Sequence, residues 1–166
     1  MTRTALFAGS FDPFTKGHLS TLNKALPLFD QIVVAVMTNK SKHYQLSEAQ
    51  RVAIIKDAVA VKDKVTVVAR SKMLTTDLAH DLKAQFLIRG LRNSEDLTYE
   101  AGIAAMNQQL APDIETVFFL TDPKLAYVSS SMIKEVLAFD GDVSAYLTPL
   151  AAQLLQTCQQ KNEAER

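Results

Sequence analysis

The chain has a single cysteine, Cys158, and no surplus of either charge, with Lys plus Arg at 18 and Asp plus Glu at 18. One cysteine excludes an internal disulfide and a zinc cluster built on cysteines, and it fits a reducing cytoplasm. Balanced charge removes any general electrostatic drive toward nucleic acid or an acidic membrane surface. Anion binding, if present, must come from a few placed cations. No stretch approaches the ~18 apolar residues that a membrane span requires. Met1-Thr2-Arg3-Thr4 runs straight into a strand-like segment, so we expect no signal peptide and a soluble, cytoplasmic protein. Low-complexity linkers and internal repeats are also missing. What remains is 166 residues, 48% of them hydrophobic, enough for one domain with a proper core.

Short apolar runs alternate with segments of helical spacing. Thr4–Ala8, Gln31–Met37, Val65–Ala69, Phe86–Ile88 and Thr116–Leu120 read as five strands. The β-branched run from Gln31 suits a strand covered on both faces. Helices are expected over Leu19–Leu28, from Ser47 (a Ser-x-x-Gln capping box), over Leu74–Lys83 and over Ser94–Leu110. Two more are expected, from Ser129 to about Ala138 and from Pro149 at the start of a C-terminal helix over about 148–160, followed by a polar tail. This alternation predicts an α/β chain: one doubly wound, Rossmann-like domain over 1–166 with a five-stranded, mainly parallel sheet. Ligands of such sheets bind at the carboxyl ends of the strands.

Polar clusters fall at those ends. Gly9-Ser10-Phe11-Asp12-Pro13-Phe14-Thr15-Lys16-Gly17-His18 lies between the first strand and its helix. There backbone N–H groups can face an anion, and His18 can present a cationic or hydrogen-bonding ring to it. The loop lacks the Gly-Lys-Ser/Thr ending of a Walker loop and is not Gly-x-Gly-x-x-Gly. Lys42 follows the second strand and, taken alone, reads first as a solvated loop lysine. Arg89 and Arg92 bracket Gly90 after the fourth strand, where Arg suits phosphate oxygens. Ser129-Ser130-Ser131 is either a helix cap with spare serines or a phosphate nest.

Glu100 reads as a solvated helix-face residue and His43 and His80 as surface residues. Tyr44, Tyr99 and Tyr146 are expected to pack partly. Metal-ligand spacing and a nucleophile elbow are both missing. A site made of anion-binding groups, without a nucleophile or paired carboxylates, suits phosphoryl or nucleotidyl transfer. A nucleotide-binding regulatory module would use the same loops without catalysis.

The Gly9–His18 stretch resembles the Thr/His-x-Gly-His signature of the nucleotidyltransferase superfamily, and Val128-Ser129-Ser130-Ser131-Met132-Ile133-Lys134 resembles its second signature. Between them, Ile88-Arg89-Gly90-Leu91-Arg92 and Asp96-Leu97-Thr98-Tyr99-Glu100 are similar to a block found in bacterial phosphopantetheine adenylyltransferases. The resemblance runs in order from about Thr4 to Leu147. It implies transfer of adenylate from ATP to 4′-phosphopantetheine, giving dephospho-coenzyme A and pyrophosphate, by in-line attack and without a covalent enzyme intermediate. It also implies magnesium and a homohexamer.

By motif position, the resemblance makes His18 a transition-state stabiliser. ATP would contact Ser10, Phe11, His18, Gly90, Leu91, Arg92, Glu100 and Leu125-Ala126-Tyr127-Val128-Ser129-Ser130-Ser131. Ser10, Lys42, Thr75 and Arg89 would take the acceptor, with Lys42 and Arg89 on its phosphate. The chain departs from the pattern in four places. Ser10 stands for the usual Thr, Leu97 for Phe, Thr75 for an apolar residue, and Leu125 for an aromatic one.

Overall fold

The computed structural model describes residues 2–39 and 41–164. Five strands, β1 (Thr4–Gly9), β2 (Gln31–Thr38), β3 (Val65–Ser71), β4 (Phe86–Leu91) and β5 (Glu115–Leu120), form one sheet in the order β3-β2-β1-β4-β5. Every pairing is parallel, from Thr4↔Gln31 to Leu91↔Leu120. Parallel neighbours need crossovers, and six helices supply them or follow: α1 (Lys16–Ala25), α2 (Glu48–Ala58), α3 (Thr75–Asp81), α4 (Ser94–Leu110), α5 (Ser130–Ala138) and α6 (Pro149–Ala164). The strand order reverses direction between β1 and β4. That leaves a crevice at their carboxyl ends, as the expected topology requires.

Sheet burial explains the continuous apolar runs. On one face, Ala5, Phe7, Val34 and Ile88 pack with Leu22, Ile55, Ile133 and Leu155, drawn from α1, α2, α5 and α6. Leu6, Ala35 and Leu87 pack on the other with Leu78 and Ala79 of α3. α4 is different: it buries none of its residues, and Tyr99, Met106 and Leu110 stand exposed. Tyr99 therefore does not pack as expected.

Local chemistry moves several boundaries. Thr15 caps α1 and His18 reciprocates, so the helix begins at Lys16 rather than near Leu19 and stops at Ala25. Arg89, Gly90 and Leu91 belong to β4 instead of following it, because pairing with β5 continues to Leu120. α3 is confined to Thr75–Asp81, with Lys83 left-handed at φ 53°. α6 continues to Ala164, past the point where we expected a polar tail; residues 165 and 166 lie outside the described chain. His80 lies at the surface as expected, with its Nε2 3.1 Å from Asp113 Oδ1.

Gly90 sets how closely α1 approaches β4. A Cβ there would sit 2.8 Å from Oγ1 of the buried, β-branched Thr21. Gly90→Ala should cost about 1–3 kcal/mol of stability through overpacking, with part of it recovered when Thr21→Ala is added. Denaturant midpoints of the single and double variants check this. Equal midpoints for Gly90→Ala and the parent would show that the helix can yield.

Candidate active site

The first loop is organised around a ring of aromatics. Phe11 takes φ 50°, a conformation costing a non-glycine residue about 1–3 kcal/mol. Its ring is sunk between Phe7 and Phe14, with centroids 5.3 Å away in both cases. Gly9 permits this, because a Cβ there would meet the Phe11 ring at 2.9 Å. His18 lies against the same cluster, edge-on to Phe11 at 5.2 Å and stacked on Phe14 at 5.4 Å.

The capping geometry fixes the state of the His18 ring. The Thr15 amide donates to Nδ1 at 3.0 Å, so the proton of the neutral imidazole sits on Nε2. Burial lowers the pKa of His18 from 6.5 to about 4, with the Arg92 and Arg89 charges adding to the effect. The ring is therefore neutral near pH 7, a correction to the cationic option. It still donates from Nε2.

Because the folded chain resists protonating His18, the stability this group contributes is complete above pH 6.5 and is lost as pH falls toward 4. Nitrogen-detected NMR of the ligand-free protein should show an Nε2–H tautomer titrating near 4, moving upward when pyrophosphate is added. A midpoint near 6.5 without ligand would contradict the assignment.

Two cavities open along the carboxyl edge of the sheet. The first, about 500 Å³, is lined by the starts of α1 and α5 and includes Ser10, Phe11, His18, Lys42, Arg89, Gly90, Arg92, Glu100 and Val128–Ser131. The second, about 710 Å³, runs toward α3 past Met37, Met73, Leu74, Thr75 and Asp77. Ala8, Gly9, Ser10, Lys42 and Arg89 belong to both walls. Both cavities thus share a partition carrying two cations and a hydroxyl.

Within the walls most polar groups already have partners. Arg89 grips Glu100 through two bonds of 2.6 Å and donates to the Ala8 carbonyl at 3.2 Å. With three of its five N–H groups engaged, two remain for a ligand. Glu100 is thus no solvated face residue. It orients Arg89 and offsets its charge. Arg92 is held likewise by Asp96, whose carboxyl that bonding keeps below its usual range.

The triple serine divides its duties. Ser129 caps α5 by accepting from the Met132 amide at 3.0 Å, and Ser130 donates to the Pro13 carbonyl at 2.8 Å, stitching the second signature to the first. Ser131 is exposed on the cavity wall. The cap is thus Ser129, with Ser130 tied to the first loop.

Four of the positions expected to contact ATP do not line either cavity. Leu91 is buried and lines neither. Leu125, Ala126 and Tyr127 also stay off the walls. They form a tight turn whose Leu125 carbonyl leans toward Gly17, while the Tyr127 ring packs against Tyr146 with centroids 5.6 Å apart. Phe11 reaches the wall, but its ring is committed to the core.

Sequence reading missed Asp12, Arg51 and Lys134. The buried Asp12 carboxylate accepts from the Gln45 and Leu46 amides at 3.0 and 2.9 Å and pairs with Lys134 at 3.3 Å. It ties three segments of the site together. An Asp inside a glycine loop gives no sign in sequence of bonding 34 positions away. Among the described residues, no group of three His, Cys, Asp or Glu could hold a metal ion, and the first cavity's Asp12, Asp96 and Glu100 are all engaged.

A parallel sheet of this order, with polar loops and helix starts at its carboxyl edge, makes this a doubly wound α/β protein of the nucleotide-binding kind. A solved structure described as a nicotinate-nucleotide adenylyltransferase from Vibrio parahaemolyticus shares the fold, with a TM-score of 0.67 at 18% identity over 94% of this chain and 99% of that one. A cytidylyltransferase-like family profile matches residues 6–136. Curated relatives named phosphopantetheine adenylyltransferase include one from Lactobacillus acidophilus, 47% identical over 92% of this chain and 94% of the relative. A second, from Lactobacillus johnsonii, is 41% identical over 98% of both. The chain belongs to the phosphopantetheine adenylyltransferase family. Among the described residues, no helix is long and apolar enough to cross a membrane.

Proposed function

We propose that this protein transfers adenylate from ATP to 4′-phosphopantetheine, releasing pyrophosphate and dephospho-coenzyme A. The observation that carries the reading is the shared partition: one cavity suited to a nucleotide and one suited to an extended arm meet at Ser10, Lys42 and Arg89. An acceptor phosphate held there would face the α-phosphorus of a nucleotide in the first cavity. The second cavity mixes apolar Met37, Met73 and Leu74 with polar Asn39, Thr75 and Asp77, which fits an arm carrying amides.

In this reading the acceptor phosphate oxygen bonds to the α-phosphorus as the bond to the pyrophosphate oxygen breaks. The acceptor is already anionic near neutral pH and needs no base. His18 Nε2–H and the amides at the start of α5 supply hydrogen bonds as charge builds on the departing phosphates. Lys42 and Arg89 hold the acceptor phosphate; Glu100 keeps Arg89 aimed. Arg92 faces the nucleotide phosphates. Magnesium would arrive on those phosphates and be held by them, since the cavity's carboxylates are occupied by cations and amides. We further propose a homohexamer, supported by the exposed Tyr99, Met106 and Leu110 on an α4 that buries nothing within one chain. A cytoplasmic location fits the lone cysteine.

Incubation with ATP, magnesium and 4′-phosphopantetheine tests the activity, with pyrophosphate and dephospho-coenzyme A expected in equal amounts. Turnover with nicotinate mononucleotide instead would assign the site to a different acceptor.

A further inference from the structure

Arg51 lines neither cavity, yet it is the largest fully buried side chain among the described residues, at 1% exposure. Its guanidinium spans two segments of the site. Nη1 donates to the Ser10 carbonyl at 2.7 Å and Nη2 to Thr38 Oγ1 at 3.0 Å. Its Cζ sits 4.1 Å from the centroid of the Tyr44 ring, and its Nε has no hydrogen-bond partner. No carboxylate among the described residues pairs with it directly. The nearest compensation is relayed, since Thr38 Oγ1 donates to Glu48 at 2.6 Å.

A buried cation without a direct counter-charge is costly to keep. A role in packing alone would be met as well by an apolar side chain of similar volume. What an apolar residue could not do is hold three pieces of the partition at once. Ser10 stands in both cavity walls, and Thr38 ends β2 where the second cavity begins. Tyr44 closes the turn that carries Lys42: its hydroxyl accepts from the Asn39 amide at 2.8 Å, and the Lys42 amide donates to the Asn39 carbonyl at 3.0 Å.

We infer that Arg51 is a positioning residue for the acceptor phosphate. Its fork fixes Ser10 relative to the end of β2, and its face supports the Tyr44 ring, so that Ser10 and Lys42 are presented to one phosphate at one spacing. Its unpaired charge adds a positive potential beneath that point, which an arriving dianion offsets. Of its contacts, Thr38 lines only the second cavity, Ser10 stands in both walls, and Tyr44 lines the first, where it closes the turn that carries Lys42. Loss of the fork should therefore weigh more on the acceptor, whose phosphate needs Ser10 and Lys42 at one spacing, than on ATP.

This inference rests on the adenylyltransferase reading, and the experiment separates the two. Steady-state kinetics with ATP and 4′-phosphopantetheine are measured for the parent, Arg51→Gln, Arg51→Lys and Thr38→Val. Thermal shifts are measured with 4′-phosphopantetheine and with pantetheine, which lacks the phosphate.

The expected result is a KM for the acceptor raised about tenfold in both Arg51 variants and several-fold in Thr38→Val. The KM for ATP should rise less than that for the acceptor, and the extra thermal shift that the phosphate confers should shrink in each variant. A parent without turnover overturns the functional reading itself. A parent that turns over, with variants matching it in acceptor KM and phosphate-dependent shift, overturns the role of Arg51. Full recovery in Arg51→Lys overturns the fork, since one ammonium cannot span both acceptors. Should Arg51→Gln fail to fold, Thr38→Val removes one arm of the fork and decides the matter.

Discussion

His18→Ala should lower turnover by on the order of a hundredfold or more, with little change in the KM for either substrate. The argument starts from the ring's protonation. Capping by Thr15 leaves the only proton of the neutral ring on Nε2, and packing against three phenylalanines keeps the ring from turning. A neutral donor gives the ground-state nucleotide no ion pair, so its value rises as charge develops on the departing phosphates. Asparagine at this position would lose the aromatic packing as well as the reach of Nε2. Near-normal turnover in His18→Ala would remove the residue from the chemistry.

Arg89→Ala is expected to produce the second large effect, raising the acceptor KM by about a hundredfold. Arg89 and Glu100 share two short, charge-assisted bonds, and their side chains are 28% and 13% exposed. Removing the arginine takes a phosphate ligand from the partition and strands Glu100 as a carboxylate facing an incoming anion. Glu100→Gln should do less, about tenfold, because the amide can still accept from Arg89 but no longer fixes both of its nitrogens. Arg89→Lys should not restore binding, since one ammonium cannot satisfy Glu100, the Ala8 carbonyl and a phosphate together. Equal acceptor KM values for Arg89→Ala and the parent would contradict this role. Each variant is read beside its melting temperature, which separates a lost ligand from a loosened sheet end.

These two residues also show what the amino-acid sequence could and could not reveal. The β-branched runs and the Ser47 capping box marked strands and a helix start directly, because both signals are local. The polar loops at the strand ends were legible for the same reason, since each lies between a strand and a helix that the sequence marks. Pairings were not. Glu100 reads as one more exposed carboxylate until β4 and α4 bring it onto Arg89, 11 residues away. Asp12 and Arg51 depend on contacts 34 and 41 residues distant.

His18 was found by position but not by charge state, since the aromatic packing that keeps it neutral is tertiary. At Leu91 and at Leu125–Tyr127 motif correspondence gives positions along the chain, while burial and the turn at Pro123–Leu125 set which side chains line the cavity.

The account places two substrates in two cavities that meet at Ser10, Lys42 and Arg89, and it assigns the protein no nucleophile. ATP made chiral at the α-phosphorus, supplied with magnesium and 4′-phosphopantetheine, tests this most directly. Direct transfer across the partition predicts dephospho-coenzyme A with inverted configuration at that phosphorus. Retained configuration would require an adenylylated protein intermediate, and failure to form dephospho-coenzyme A would remove the acceptor; either result contradicts the account.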